Sequence, residues 1–167
     1  PVAGILYQLR DYLKIVGRGK IKHHLAYKDL NALKWAEPFV SIHIPSYNEE
    51  PEMLIKTIEH VLRLNYKNYE LIIIENKTPD ENVWIPVQEF VTHLGKSNIR
   101  FYHFDALEWY KSGALNKALE LTDARAEIIG LIDADYCVKP DWLKMTLWLF
   151  ENKKIAAIQC PQANNIE

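Results

Sequence analysis

The stretch Glu127-Ile128-Ile129-Gly130-Leu131-Ile132-Asp133-Ala134-Asp135 is an apolar run that ends in two carboxylates one residue apart. A short apolar run with β-branched residues reads as a strand buried on both faces. In open α/β sheets ligands bind beyond the carboxyl ends of such strands, so both acids fall where chemistry is usually done. If extended geometry continues through the motif, alternation turns Asp133 and Asp135 to the same side, close enough to share one cation or a cation and a hydroxyl. Such a pair suits a hard divalent ion holding phosphate oxygens. Magnesium takes one or two protein carboxylates and completes its shell with water and substrate. The same residues also read as an ordinary strand exit, acidic because loops are wet, and these positions alone do not separate the two.

On either side of this run the chain alternates strand and helix patterns. Phe39 to Ile44 reads as a strand stopped by Pro45, followed by the polar turn Ser46-Tyr47-Asn48-Glu49-Glu50. Pro51 suits the first turn of a helix carrying Leu54, Ile55, Ile58, Val61 and Leu62. Leu71 to Ile74 is a second buried strand, and a helix through Val83, Val87, Phe90, Val91 and Leu94 closes at Gly95. Ile99 to Phe104 is a third strand, followed by a loop and a helix from about Ala114 to Leu121. After the acidic motif, Pro140 opens a helix through Phe150, and Ile155 to Cys160 reads as a last strand. The order predicts an α/β fold with an open, mostly parallel sheet, right-handed crossovers and helices on both faces.

Before this alternation, Val2, Ile5, Leu6, Leu9, Tyr12, Leu13 and Val16 recur at helical spacing beside a basic stretch that includes Arg18, Lys20 and Lys22. Residues 1–37 therefore read as an amphipathic helix and basic linker. The helix could lie on an anionic membrane surface or dock on a domain, the commoner use of such a face. Residues 38–167 read as one domain. The net charge of −2 and pI near 6.4 give no electrostatic case for nucleic acid. Cys137 and Cys160 show no metal or disulfide spacing, which fits a reducing compartment. No run of eighteen apolar residues spans a membrane, and an opening Pro1 suggests a piece of a longer protein.

The first strand is followed by neither GxGxxG nor GxxxxGK[ST], which argues against a Rossmann dehydrogenase and a P-loop NTPase. An aspartyl-nucleophile phosphatase needs its acids on the first strand, whereas here they follow the fourth, and no GxSxG supports an acyl hydrolase. His43, within an apolar strand, reads as a hydrogen-bonded core histidine, and Trp142 and Trp148 as core. Trp109 and Tyr110, read as loop residues beside Lys111, are candidates to touch substrate.

Four blocks carry a resemblance in order and spacing. They are Val40-Ser41-Ile42-His43-Ile44-Pro45-Ser46-Tyr47-Asn48-Glu49-Glu50-Pro51, Ile74-Glu75-Asn76-Lys77-Thr78, Lys111-Ser112-Gly113-Ala114-Leu115-Asn116-Lys117-Ala118-Leu119, and Ile132-Asp133-Ala134-Asp135-Tyr136. Together they resemble family 2 glycosyltransferases, most closely the bacterial cellulose-synthase-like branch that makes β-linked polysaccharide, over roughly Pro38 to Asn164. The resemblance implies a GT-A fold, a UDP-sugar donor, Mg or Mn, and direct displacement at the anomeric carbon with inversion. It assigns the nucleoside to Pro45, Tyr47, Asn48 and Glu49. Glu75 stands where the family usually has an aspartate that reads the uracil or ribose; it keeps the acceptor oxygens but reaches one methylene further. Lys111 is placed by the diphosphate as a flexible point charge. Gly113 permits close backbone approach, and Asn116 caps or orders the site. Asp133 and Asp135 are assigned to the metal, with Asp133 also near the donor.

The resemblance also implies a general base and a Gln-x-x-Arg-Trp acceptor block on a segment well after the paired acids, and the sequence contains neither, so both are expected beyond Glu167. The chain is thus expected to be the donor-binding half of a truncated catalytic domain, inactive alone. Its parent is expected at the cytoplasmic face of a bacterial membrane, passing sugar to a glycan acceptor, and the fragment itself is expected to be soluble. Three other readings stay open: a non-catalytic nucleotide-sugar-binding module, a nucleotidyltransferase, and an interaction domain docked through the N-terminal helix.

Overall fold

The computed structural model describes residues 37–160, so the expected amphipathic helix and the tail from Pro161 lie outside the described residues. Four strands, β1 (Val40–Ser46), β2 (Tyr69–Asn76), β3 (Ile99–Phe104) and β4 (Ile128–Leu131), form one sheet in the order β3-β2-β1-β4. Every neighbouring pair is parallel. Between the strands run α1 (Pro51–Leu62), α2 (Glu81–Leu94) and α3 (Tyr110–Leu121); α4 (Trp142–Leu147) and a 3-10 turn (Trp148–Glu151) follow β4.

The two faces of the sheet carry different side chains because strand residues alternate. Ile42 and Ile44 of β1 with Leu71 and Ile73 of β2 form one core with Leu54, Ile58 and Val61 of α1 and Val87 and Val91 of α2. Ile72 and Ile74 point the other way and meet Ala114 and Ala118 of α3. Those two alanines stand four residues apart on one face of the helix, where their small side chains let its backbone approach the sheet. Burial of each large aliphatic side chain in these layers contributes about 1.5–3 kcal/mol.

β1 runs one residue beyond the proline expected to stop it. The amide of Ile132 donates to the His43 carbonyl (3.1 Å), so the backbone groups of residue 43, and of residue 45 on the same side, face β4. The β4 ladder ends at His43–Leu131, so the missing N–H of Pro45 falls past its neighbour and costs no ladder bond. His43 is buried, within 2.9 Å of Ser41 Oγ and 3.0 Å of Thr122 Oγ1, as a core histidine should be, and burial lowers its pKa.

Three expectations are corrected. β4 is an edge strand among the described residues, with Ile129 and Leu131 exposed (44% and 49%), and is not buried on both faces. Residues 155–160 join no ladder; they line a hollow of about 890 Å³ beside that free edge, since an apolar run becomes a strand only where a partner completes its hydrogen bonds. The helix expected from Pro140 to Phe150 divides into the short α4 and the 3-10 turn. Trp142 packs against the larger core as expected, over the backbone of Gly130, where an added Cβ would lie 3.2 Å from its ring.

Candidate active site

The carboxyl ends of β1, β2 and β4 and the start of α3 surround a cleft of about 350 Å³. Of the residues singled out in the sequence, Pro45, Tyr47, Glu49, Tyr110, Lys111, Asp133 and Asp135 line it. The carboxylates do not share a strand. β4 ends at Leu131, and Asp133 to Tyr136 form a turn closed by Tyr136 N–H donating to the Asp133 carbonyl (3.0 Å). A turn, not strand alternation, brings both acids to the cleft.

That turn is anchored from α1. Buried Thr57 donates its hydroxyl to the Ala134 carbonyl (2.7 Å), and His60 Nδ1 lies 3.1 Å from the Val138 carbonyl. Sequence reading had counted this helix face as packing alone; a polar threonine within its buried face, three residues after Leu54, was the available signal.

The β1 and β2 loops are locked together below the cleft. Asn48 adopts left-handed backbone (φ 53), and its N–H donates to Thr78 Oγ1 (2.7 Å) and, more weakly, to Glu75 Oε1 (3.4 Å). Thr78 in turn donates to the Glu75 carboxylate. Glu75 is 2% exposed and off the cleft wall, so its extra methylene is spent on holding this loop. Its neighbour Asn76, which sequence reading passed over, does line the cleft.

α3 starts at Tyr110, four residues earlier than expected, so Tyr110 and Lys111 stand on its first turn and not in a loop. Lys111 forms an ion pair with Asp133. Gly113 does permit a close backbone approach, and the approaching atom is the chain's own: an added Cβ would lie 1.8 Å from the Glu108 carbonyl oxygen. Asn116 is exposed on α3 and is not part of the cleft wall.

Negative charge is in excess here. Burial, then the charges of Asp135 and Glu75, raises the Glu49 carboxyl above its ordinary range. Among the described residues no group of three or more His, Cys, Asp or Glu forms a metal cage. The Asp133/Asp135 pair with Glu49 nearby nevertheless fits a hard divalent cation, which takes few protein carboxylates and relieves their repulsion. The paired acids, the lysine and the two interlocked loops all stand at the carboxyl edge of the sheet, the place where open α/β folds bind their ligands.

Residues 41–167 match Glycosyl transferase family 2, and the chain belongs to that family. WcaA of Escherichia coli (strain K12), named as a colanic acid biosynthesis glycosyl transferase, is 34% identical over 113 residues, which are 66% of this chain and 37% of that protein. Cellulose synthase 2 of Novacetimonas hansenii is 26% identical over 129 residues, 74% of this chain and 7% of that protein. The fold is shared with the mannosyltransferase PcManGT from Pyrobaculum calidifontis in complex with GDP-Man and Mn2+ (TM-score 0.57, 21% identity, 65% of this chain and 31% of that one). It is shared also with S. aureus TarS 1-349 in complex with UDP-GlcNAc (TM-score 0.54, 14% identity, 74% of this chain and 37% of that one). The sheet is thus of the GT-A kind, and the chain spans well under half the length of each of these proteins.

Proposed function

We propose that residues 38–167 are the donor-binding half of an inverting glycosyltransferase that takes a UDP-sugar with Mg or Mn and passes the sugar to a glycan acceptor. The observation that carries this reading is the meeting of Asp133, Asp135 and Lys111 in one cleft with Pro45, Tyr47 and Glu49. Asp133 and Asp135 would hold the divalent ion, which when bound neutralises charge on a leaving diphosphate without moving a proton. Lys111, paired with Asp133 at the same end of the cleft, would offer its ammonium to a phosphate oxygen. Pro45 and Tyr47 form the wall for the nucleoside, and Asn48, Glu75 and Thr78 fix that wall's shape. Asp133 serves both metal and donor, while Gly113 acts through the loop that it supports and Asn116 is left a surface role.

No described helix is long and apolar enough to cross a membrane. Placement at the cytoplasmic face of a bacterial membrane is proposed for the longer parent, as are polysaccharide synthesis and the glycan acceptor. The fragment by itself is expected to transfer little sugar.

Calorimetric titration of UDP with Mn present, repeated with EDTA and with Asp135→Ala and compared with GDP under the first condition, tests the reading. Binding that needs the metal and is lost in the variant supports it. Equal binding in all three conditions, or a preference for GDP over UDP, overturns the metal or the nucleotide assignment respectively.

A further inference from the structure

The β2 end of the cleft is built with more care than a loop crossing requires. Trp109 and Tyr110 both adopt left-handed backbone (φ 67 and 48), a region disfavoured for bulky L residues. They are held there from below. Asn76, buried at the end of β2, donates its amide to the carbonyls of Leu107 (3.4 Å) and Tyr110 (3.3 Å) and accepts from the Leu107 N–H (3.0 Å). Lys77, itself left-handed (φ 69), sets its ammonium 5.2 Å from the Tyr110 ring centroid. The result is a tyrosine ring 71% exposed yet fixed at the cleft, with Tyr47, 57% exposed, lining it from the end of β1.

A second observation is independent of the first. Ser46, only 5% exposed, lines the same cleft, and its Oγ is buried with no hydrogen-bond partner. A buried hydroxyl left unpaired costs stability and persists where a bound group satisfies it.

The cleft has a polarity. Lys111 reaches to Asp133 after β4, whereas Tyr110, one residue earlier, is tied to Asn76 and Lys77 after β2. A nucleoside diphosphate with its charge at the acid and lysine end therefore carries its planar base toward the tyrosines. We propose that Tyr110 stacks on the donor's nucleobase and that Ser46 Oγ makes a hydrogen bond to the nucleoside, so that both residues set affinity for the base and not for the diphosphate. This rests on the donor-site reading above.

The test compares UDP and inorganic pyrophosphate, each titrated with Mn into the whole chain. Tyr110→Asn keeps a side chain that tolerates the left-handed backbone, so a loss of binding reports the ring. About a tenfold loss of UDP affinity is expected, in line with base–aromatic stacking, with pyrophosphate unchanged and Tyr110→Phe close to the unsubstituted chain. Ser46→Ala is expected to weaken UDP several-fold while leaving the thermal midpoint equal or higher, because an orphaned hydroxyl is removed. UDP binding that survives both substitutions overturns the inference and leaves the donor site standing. Equal losses for UDP and pyrophosphate overturn it as well, since the contact is then not to the base. Absence of UDP binding to the unsubstituted chain overturns the donor-site reading and this inference with it.

Discussion

Gly113→Ala separates tertiary packing from helix propensity because the two predict opposite signs. Gly113 stands on the first turn of α3, where replacing glycine by alanine ordinarily gains about 1 kcal/mol of helix stability. In this fold the new methyl would lie 1.8 Å from the Glu108 carbonyl oxygen, whereas Cβ atoms essentially never come within 3.0 Å of a neighbour. The difference, about 1.2 Å, must be opened by moving backbone, since the obstructing atom is no flexible side-chain tip. Overpacking of this kind costs about 1–3 kcal/mol. Moving Glu108 also disturbs the adjoining bonds of Asn76 to Leu107 and Tyr110, worth about 1 kcal/mol each. Set against the propensity gain, a net loss of about 2 kcal/mol follows, or roughly 4–8 °C in thermal midpoint for a chain of this size. Urea denaturation should show a lower midpoint with unchanged slope, the signature of altered stability and not of altered compactness. A midpoint equal to or above that of the unsubstituted chain would refute the packing argument.

Two further outcomes are expected. Thr78→Ala removes the hydroxyl between Asn48 and Glu75 and leaves buried polar groups unpaired, at a cost of about 1–3 kcal/mol in denaturant titration, whereas Thr78→Ser should recover most of it; identical midpoints for alanine and serine would contradict the relay. The Glu49 carboxyl, raised by burial and by Asp135 and Glu75, binds its proton more tightly folded than unfolded, so stability falls as pH rises from the ordinary value of 4.5 through the raised one. Glu49→Gln should therefore flatten that part of the pH profile and raise the metal-free thermal midpoint at pH 7; a lower midpoint would show that Glu49 stabilises the fold.

The cleft residues that were easiest to find are those whose chemistry is written locally. Asp133, Asp135 and Lys111 stand in motifs with distinctive spacing, and all three reach the cleft. Glu75 stood in an equally clear motif, yet lies beneath the cleft, because burial depends on what the neighbouring loop covers. Asn76 was the converse case. Its amide holds Leu107 and Tyr110, more than thirty residues away in sequence, and no local pattern announces such a partner.

What the sequence determined by itself was the alternation of strands and helices. Side-chain period and the placement of Pro51 and Gly95 act within a few residues, so the element order and the parallel sheet were legible without coordinates. Tertiary structure alone decided which strands found partners and which way each loop was pulled. It left β4 at an edge, kept residues 155–160 out of the ladder, and began α3 at Tyr110. It also turned Asp133 and Asp135 into one cleft through a turn pinned by Thr57. Strand pairing and loop anchoring are contacts between residues distant in the chain, and their energies depend on the partner's position in space, which local sequence does not carry.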